Sequence, residues 1–376
     1  MRIAIVHDWL VTYAGAERVL EQMLDCYPDA DLFSVIDFIA PNSRDFLKNK
    51  HVTTSFIQHL PMSRTKYRSY LPLMPMAVER FDLSDYDLII SSSHAVAKGV
   101  ITRPDQLHIC YLQARNLKYA YDDRNIYSGS GMIKFLQDAF LVGIRIWDDV
   151  ATKRPNITIS NSHYVASWHY HRHQISCSVI YPPVDITQFS NNFSEKKDNF
   201  YVAVGRIEPY KRFDLIVDAF NQIGAQIKII GNGTEYKRLK LLSNSNIEWL
   251  GYQDSSQIAE VLSRAKAFVF ASREDFGIAP LEAQASGTPV IAYGRGGACE
   301  TVRGLDEADH PTGLFFHEQS ASAVVNAVER FEREGNHIAP EDCRENAKYF
   351  SRENFRGKFT EFIDHQWQLF QENKHL

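Results

Sequence analysis

The stretch from Ala267 to Ala292 constrains the fold more than any other part of this chain. It reads AFVFASREDFGIAPLEAQASGTPVIA, and its two ends are short apolar runs of the kind buried in parallel sheets. We predict a strand, a loop, a helix of about two turns and a second strand, with Pro280 at the first helical position and Gly287 and Pro289 ending the helix. The stretch is therefore typical of an α/β protein with a parallel sheet.

The start of this predicted helix suits an anion. Amide N–H groups in the first turn of a helix lack partners within it and lie at the positive end of the helix dipole. We expect the amides from Phe276 to Ala279 to bind phosphate there. The carboxylates of Glu274 and Glu282 flank these amides. Paired carboxylates serve glycoside hydrolases as acid and base, but beside a phosphate site they better accept hydrogen bonds from sugar or ribose hydroxyls.

Length and composition narrow the class of protein. A chain of 376 residues with 44% hydrophobic residues is long enough for two cores, so we expect two domains. The formal net charge of -5 argues against a general nucleic-acid binder. Five scattered cysteines without a C-x-x-C pair indicate a reduced, cytoplasmic protein without structural zinc. The N-terminus enters a strand directly and no apolar run approaches roughly 18 residues, so we expect neither a signal peptide nor a transmembrane helix.

The first half alternates strands and helices, as in a doubly wound domain. Gly15, in the loop after the first strand, would let a helix N-terminus approach a ligand closely, although it also suits an ordinary turn. His94 follows the strand from Leu88 to Ser92, at the sheet edge where open α/β folds bind ligands. A lone histidine is also often structural. The segment from Gln113 to Asp122 has the polar and aromatic composition of a binding loop.

A basic segment with interleaved aromatic residues, from Gln58 to Met76, leaves two interpretations open. It suits a peripheral contact with anionic lipid headgroups. The simpler alternative is a solvated helical segment whose apolar side packs on the domain. Three prolines, Pro61, Pro72 and Pro75, break any long amphipathic helix here.

Three histidines, His169, His171 and His173, suggest a metal site at first. On a helix only His169 and His173 share a face, and neither a carboxylate nor a cysteine stands nearby at ligand spacing. We therefore expect no metal here.

The run Val179-Ile-Tyr-Pro-Pro-Val-Asp185 marks a hinge, because two consecutive prolines stop either neighbouring element from continuing. We place an N-terminal domain at 1–182, a second domain at 183–353, and a helix at 354–376 that packs at the domain junction. Strands of the second domain carry glycine or charge at their carboxyl ends, which predicts a cleft there. These ends hold Gly205 and Arg206, Gly231, Gly251 and Tyr252, Glu274, and Gly294 to Gly297.

Arg206 and Lys211 follow the first strand of the second domain. Two cations beside a helix N-terminus suit a diphosphate whose charge grows as it leaves, and they can replace a metal ion. Taken alone, the two residues also fit a solvated loop. With Glu274 and Glu282 in the same domain, we favour the diphosphate.

Jointly these motifs strongly resemble the family 4 glycosyltransferases of group 1 type, which are retaining enzymes of the GT-B architecture. The resemblance covers nearly the whole chain. It is carried by Ala14 to Arg18, Tyr181-Pro-Pro-Val-Asp185, Gly205-Arg206 with Lys211, Glu274-x7-Glu282 around FGIAPLEAQASGTPVIA, Gly296-Gly297-x-x-Glu300 and Thr312 to Phe316. It implies two Rossmann-like doubly wound domains that face each other across a cleft, with the donor in the second and the acceptor in the first.

The resemblance also implies roles by position. The expected catalytic residues are Arg206 and Lys211 on the diphosphate, Glu274 on the sugar hydroxyls and His94 near the reacting sugar. The expected donor-binding residues are Gly15, Gly205, Gly231, Gly251, Tyr252, Phe276, Gly277, Ile278, Ala279 and Glu282, with Glu282 on the ribose. Relatives commonly carry His-Thr/Ser-Pro after the strand that ends here at Tyr111, whereas this chain reads Leu112-Gln113-Ala114-Arg115. The expected acceptor-side residues are Gln113, Arg115 and Lys118.

The implied function is transfer of a hexose from UDP-hexose or GDP-mannose to a saccharide or lipid-linked saccharide, with retention and without a metal ion, in polysaccharide biosynthesis. We expect a cytoplasmic enzyme, with a peripheral contact at the inner face of the membrane as a further expectation. A GT-B epimerase or nucleotide-sugar hydrolase would share the donor site, and a nucleotide-sugar sensor on the same fold is the non-enzymatic alternative. The sequence leaves the base, the sugar and the acceptor open.

Overall fold

Two parallel sheets organise the protein. The computed structural model describes residues 1–115, 117, 121, 132–191 and 196–373. The chain divides into one unit formed by Met1–Pro183 with Phe355–Leu376 and a second unit formed by Val184–Asn354. Each unit contains one of the sheets.

The first sheet has seven described strands, all parallel. These are β1 (Ile3–His7), β2 (Asp31–Ser34), β3 (Val52–Thr54), β4 (Leu88–Ser93), β5 (Leu107–Leu112), β6 (Ile157–Ser160) and β7 (Ser178–Val179). Their order is β3-β2-β1-β4-β5-β6-β7, so the chain builds outward from β1 in one direction and then continues from β4 in the other. Every residue of β4 and β5 is buried, as expected for strands covered on both faces.

The helices of the first unit cover both faces of this sheet. They are α1 (Gly15–Cys26), α2 (Ser63–Lys66), α3 (Met74–Glu79), α4 (Met132–Ala151) and α5 (His163–His173), with 3-10 helices at Pro41–Ser43, Asp45–Leu47, Phe56–His59, Tyr67–Leu73 and Ala97–Gly99. Alternate residues of a strand point to opposite faces. Ile5 therefore shares a core with Leu20 of α1, whereas Val6 shares the other core with Leu71 and Met74.

The basic and aromatic segment from Gln58 to Met76 folds as short helical pieces, as its prolines predict. Tyr67, Leu71 and Met74 are buried in the core. The structure thus uses the apolar side of this segment for packing, and the membrane contact stays a prediction. None of the described helices is both long enough and apolar enough to cross a membrane.

The second sheet has six described strands, again all parallel. These are β8 (Tyr201–Val204), β9 (Ile227–Ile230), β10 (Ile247–Gly251), β11 (Phe268–Phe270), β12 (Val290–Tyr293) and β13 (Gly313–Phe316). The order β10-β9-β8-β11-β12-β13 repeats the first sheet's pattern, with the reversal between β8 and β11.

Helices cover both faces of the second sheet as well. They are α6 (Ile186–Ser190), α7 (Phe213–Ile223), α8 (Tyr236–Leu242), α9 (Ser255–Arg264), α10 (Ile278–Ala285), α11 (Ala298–Thr301), α12 (Ala321–Glu334) and α13 (Pro340–Lys348), with 3-10 helices at Pro209–Lys211 and Gly335–His337. The predicted alternation of strands and helices, and with it the α/β fold class, is confirmed in both units.

A long C-terminal helix, Arg352–Asn373, follows. Its buried residues Phe355, Phe359 and Ile363 recur every four positions and form one stripe. The rings of Phe355 and Phe359 stack at 5.3 Å, and Tyr111 of β5 meets Phe359 edge-on at 6.4 Å. The helix therefore completes the core of the first unit on the face that α1 also covers.

We predict that Phe359→Ala destabilises the first unit selectively. The side chain is fully buried, so its removal should lower the free energy of unfolding by about 3–5 kcal/mol. Leu369→Ala, on an exposed position of the same helix, is the matched control and should cost about 0.5 kcal/mol or less. Hydrogen exchange read by mass spectrometry checks this, since peptides of β1 and β4 should lose protection while those of β8 keep it. Equal losses in both units, or none, would contradict this packing.

Candidate functional site

Each sheet contains one point where the strand order reverses. In open α/β sheets, ligands bind beyond the carboxyl ends of the strands at this point. The reversal lies between β1 and β4 in the first unit and between β8 and β11 in the second. The residues that follow these four strands are therefore the first candidates for a site.

In the second unit, the loops after β8 and β11 join through an ion pair. Lys211 ends the short 3-10 helix after β8, and its Nζ contacts Oε1 of Glu274, which follows β11. Ser272 donates a hydrogen bond from Oγ to the same carboxylate oxygen at 2.7 Å. Both charged side chains are largely withdrawn from water, with exposed fractions of 17% and 20%.

The charges around Glu274 fix its protonation. Burial by itself would raise the pKa of this carboxyl, but the attraction of Lys211, the hydrogen bonds from Lys211 and Ser272, and the charge of Arg206 hold it below its ordinary value. Glu274 is therefore ionised at neutral pH. An ionised carboxylate can only accept hydrogen bonds, which suits donors such as hydroxyl groups.

Close backbone packing holds the Glu274 loop in place. Gly297 donates its N–H to the carbonyl of Glu274 at 2.9 Å. A Cβ on Gly297 would lie 2.3 Å from Cα of Phe276, so no other residue fits without moving this loop. The Gly296-Gly297 motif thus acts on the site through the position of Glu274.

The helix after Glu274 begins two residues earlier than predicted. α10 starts at Ile278 and Pro280 is its third residue, so the placement of Pro280 at the first helical position is wrong. The position is tolerated because the N–H of a third helical residue also lacks a partner within the helix. Gly277 precedes the helix with a φ of 91°, a left-handed conformation that favours glycine. The amides of Ile278 and Ala279 then lie in the first turn, where they have no acceptor within the helix.

The other predicted donor residues lie along the same edge of the second sheet. Arg206 is exposed and donates from Nη2 to the hydroxyl of Tyr210 at 3.2 Å. The amide of Gly205 donates to Ile230 and that of Gly231 to Gly251, which aligns the ends of three neighbouring strands. Tyr252 follows these ends and is 78% exposed.

Glu282 is the fifth residue of α10 and only 9% of its surface is exposed. It lies one turn beyond the amides of Ile278 and Ala279. Its role as a ribose ligand stays a prediction.

In the first unit, a carboxylate that sequence reasoning missed organises the reversal point. Asp8 directly follows β1 and is completely buried. Its two carboxylate oxygens accept hydrogen bonds from four consecutive backbone amides, which belong to His94 at 2.6 Å, Ala95 at 3.0 Å, Val96 at 2.6 Å and Ala97 at 2.7 Å. The signal that could have found it is its place, immediately after the first strand of a doubly wound sheet.

Asp8 also faces the ring of His94. Nδ1 of His94 lies 3.0 Å from Oδ2 of Asp8. Burial alone would raise the pKa of Asp8, but His94, His7 and the backbone amides hold it well below its ordinary value. Burial would lower the pKa of His94, but Asp8 and Glu17 raise it above its ordinary value. The two groups therefore favour each other's charged forms.

A hydrogen-bonded chain of side chains lies beside this pair. Gln113 donates from Nε2 to Ser92 Oγ at 2.8 Å and to the carbonyl of Ala16 at 3.2 Å. Ser92 Oγ lies 3.2 Å from Nδ1 of His7, whose Nε2 is 3.7 Å from Glu17. The side-chain amide of Gln113 thus ties β5 to β4 and α1.

The remaining predicted residues of the first unit have varied surroundings. Gly15 is the first residue of α1. Arg115 donates to the hydroxyl of Tyr164 at 3.2 Å. Lys118 lies outside the described residues. Within the part of the chain that the structure describes, no group of three or more metal-ligating side chains is arranged to hold an ion.

Comparison with known proteins finds a family model that the second unit matches. Residues 185–350, which include the Lys211–Glu274 pair and α10, match the family model described as Glycosyl transferases group 1. Over these residues, which are a little under half of the chain, the second unit resembles the group 1 glycosyltransferases.

Curated relatives agree with this family. An uncharacterized glycosyltransferase of Methanocaldococcus jannaschii is 30% identical over 165 residues, which are 43% of this chain and 45% of the relative. A GDP-mannose-dependent monoacylated alpha-(1-6)-phosphatidylinositol monomannoside mannosyltransferase of Corynebacterium glutamicum is 34% identical over 113 residues, which are 26% of this chain and 30% of the relative. The chain thus spans less than half the length of these two glycosyltransferases.

A solved structure extends the likeness in fold to both units. The crystal structure of Anabaena HepE in complex with UDP and glucose aligns with 97% of this chain and 99% of its own, with a TM-score of 0.66 and 17% identity. The predicted fold class, two Rossmann-like domains of the GT-B class, is confirmed.

We predict that Lys211→Met destabilises the second unit in a pH-dependent manner. At neutral pH the variant leaves a largely buried carboxylate without its cation, which should cost about 1–3 kcal/mol. Because the folded-state pKa of Glu274 is depressed, the contribution of the pair is present above the ordinary carboxyl pKa and disappears as the pH falls through the folded value. Urea denaturation at a series of pH values should therefore show the gap between wild type and variant closing in acid.

The matched control is Lys228→Met. Lys228 pairs with Glu248 at 3.6 Å in the same unit, but both side chains are more exposed. Such surface pairs contribute about 0–1 kcal/mol. A gap for Lys211→Met that is equally small, or that stays constant down to acid pH, would contradict the assigned role of the pair.

Proposed function

We propose that this protein is a retaining glycosyltransferase that moves a hexose from a UDP- or GDP-sugar to a saccharide or lipid-linked saccharide, without a metal ion, in polysaccharide biosynthesis in the cytoplasm. The observation that carries the proposal is the Lys211–Glu274 pair at the reversal point of the second sheet, beside the helix N-terminus at Ile278 and Ala279. The cations and the helix N-terminus suit the diphosphate of a nucleotide sugar, and the carboxylate suits its sugar hydroxyls.

The donor diphosphate binds to Lys211 and Arg206 in this proposal. Arg206 is exposed and lies on the same loop as Lys211, so both cations are close to a ligand at the ends of β8 and β11. Two cations and a helix N-terminus stabilise negative charge at the leaving oxygen without a metal. The ligand competes with Glu274 for Lys211, since the ion pair occupies the ammonium group in the absence of donor.

The transferred sugar binds through Glu274. When the diphosphate draws Lys211 away, the carboxylate keeps Ser272 as a partner and accepts hydrogen bonds from sugar hydroxyls. Glu282 accepts from the ribose hydroxyls, one helical turn further on.

The chemical step follows from this arrangement. An acceptor hydroxyl attacks the anomeric carbon on the face from which the diphosphate leaves, so one C–O bond forms as the other breaks and the configuration is retained. The hydroxyl proton passes to the leaving diphosphate oxygen. Charge stabilisation by Arg206 and Lys211 and positioning by Glu274 supply the rate enhancement.

The relatives support this choice of substrates. The mannosyltransferase of Corynebacterium glutamicum is named for GDP-mannose and for a lipid-linked mannoside acceptor, and the HepE structure contains UDP and glucose. We therefore place both UDP-hexose and GDP-mannose among the candidate donors. The acceptor binds to the first unit, and a contact of the segment from Gln58 to Met76 with the inner face of the membrane is part of the proposal.

A thermal-shift panel with UDP, GDP and ADP and their sugars tests the donor site. One nucleotide series should stabilise the protein by about 2.7 kcal/mol when its free concentration is 100 times Kd. The stabilisation should be lost in Lys211→Ala, because the diphosphate loses a charge-assisted partner, and kept in the surface control Lys228→Ala. If no nucleotide stabilises the wild type, the proposed function is wrong.

Turnover tests the catalytic roles. Arg206→Ala should lower the rate of sugar transfer by a factor of about 100 or more with the fold intact, since it removes charge stabilisation of the leaving group. Glu274→Gln should lower turnover while nucleoside diphosphate binding remains, because only the sugar contact changes. Near-wild-type turnover in either variant refutes its role. Release of free or epimerised sugar from donor alone, at a rate that acceptors do not change, would indicate a hydrolase or epimerase.

A further inference from the structure

We propose that Asp8 is a positioning residue for His94, and that its buried carboxylate holds the imidazole so that Nε2 is offered to a substrate oxygen. The inference rests on the proposed function only for the identity of that substrate. Its structural part concerns two side chains of the first unit and can be measured without any donor.

The backbone contacts show how firmly Asp8 is fixed. Four consecutive amides from His94 to Ala97 donate to its two oxygens at 2.6 to 3.0 Å. Consecutive amides of this kind form a concave anion site. Here the chain's own carboxylate fills it, and the backbone of His94 is one of the four donors. Asp8 therefore holds the backbone of His94 in place, in addition to its contact with the His94 ring.

The ring contacts fix the orientation of the imidazole. Nδ1 lies 3.0 Å from Asp8 Oδ2, and the ring of Trp9 packs against His94 edge-to-face at 4.5 Å and 88°. A carboxylate this close to one ring nitrogen favours the proton on that nitrogen and leaves the other for a ligand. With 24% of its side chain exposed, His94 remains accessible to one.

The charged groups around His94 come from several elements. Asp8 follows β1, Glu17 lies on α1, and Lys98 lies in the 3-10 helix after β4. The ring of His7, at the end of β1, is 6.1 Å from the ring of His94. The two carboxylates favour a charged His94 ring and the lysine disfavours it, but the lysine is itself paired with Asp148 at 2.7 Å. This surrounding favours the imidazolium, which can donate a hydrogen bond from Nε2 to a substrate oxygen.

A second buried ion pair, Lys98 with Asp148, provides a control that separates the positioning of the His94 ring from the stability of the turn after β4. Lys98 donates to the carbonyl of Ala95 at 3.2 Å and pairs with Asp148, so it also holds the turn after β4. Asp148 pairs with Lys98, whereas Asp8 contacts both the backbone and the ring of His94. Asp148→Asn is therefore a matched control that weakens the turn without removing the partner of the ring.

The first experiment is NMR of the histidine rings in the full-length protein, with His94 assigned through His94→Gln. In wild type, the neutral ring should carry its proton on Nδ1, which nitrogen shifts report directly. His94 should titrate above the ordinary value of about 6.5. In Asp8→Asn the titration should move to lower pH, and in Asp148→Asn it should stay as in wild type. A wild-type ring with its proton on Nε2 and an ordinary titration overturns the proposal, and this result needs no variant to fold.

The second experiment is the pH dependence of kcat with the donor that the thermal-shift panel selects. Asp8→Asn should lower kcat by about tenfold or more and move the alkaline limb to lower pH, because the charged form of His94 is lost earlier. Stabilisation by the nucleoside diphosphate should be unchanged. Equal losses in Asp148→Asn and Asp8→Asn would reduce Asp8 to a structural role. If wild type turns over no donor, the proposed function fails, while the NMR result still decides the positioning of His94.

Discussion

A carboxylate and a basic side chain meet where the strand order of each sheet reverses. Parallel strands place the ends of the first and fourth strands side by side, so the loops that follow them are forced together at this point. In the first unit Asp8 follows β1 and His94 follows β4, whereas in the second Lys211 follows β8 and Glu274 follows β11. The carboxylate therefore follows the first strand of the sheet in the first unit and the fourth strand of the sheet in the second unit. Each charge is withdrawn from water and depends on its partner.

The two pairs differ in how completely the carboxylate is satisfied. Asp8 has no exposed surface, accepts from four backbone amides and also faces the His94 ring, so loss of its carboxylate would leave buried donors unpaired at about 1–3 kcal/mol each. Glu274 keeps a fifth of its side chain exposed, and Lys211 and Ser272 are its side-chain donors in the structure. A ligand that supplies new donors can therefore replace Lys211 at little cost. The Asp8–His94 pair therefore suits a fixed structural role, and the Lys211–Glu274 pair suits a binding site in which the partners are exchanged.

The parts that sequence could predict are those with a local signal. The apolar runs and the glycines after them located most strands, and Pro280, Gly287 and Pro289 located α10. The strand Val52–Thr54 escaped prediction because three residues are too short to show a pattern. Asp8 escaped because its partners lie 86 to 89 residues away, and its place directly after the first strand is a weak signal by itself. The start of α10 was misplaced because proline is tolerated at more than one position of the first turn.

Gln113 shows why the acceptor side is harder to derive than the donor side. The sequence marks it only as a departure from the His-Thr/Ser-Pro pattern of relatives. In the structure its amide donates to Ser92 and to the first turn of α1, and through Ser92 it joins His7. Its donor group is thus engaged with the scaffold and supports the loops after β1 and β4. Under the function proposed above, Gln113 acts on the acceptor by setting where those loops lie, because its side-chain amide is already bonded to Ser92 and Ala16.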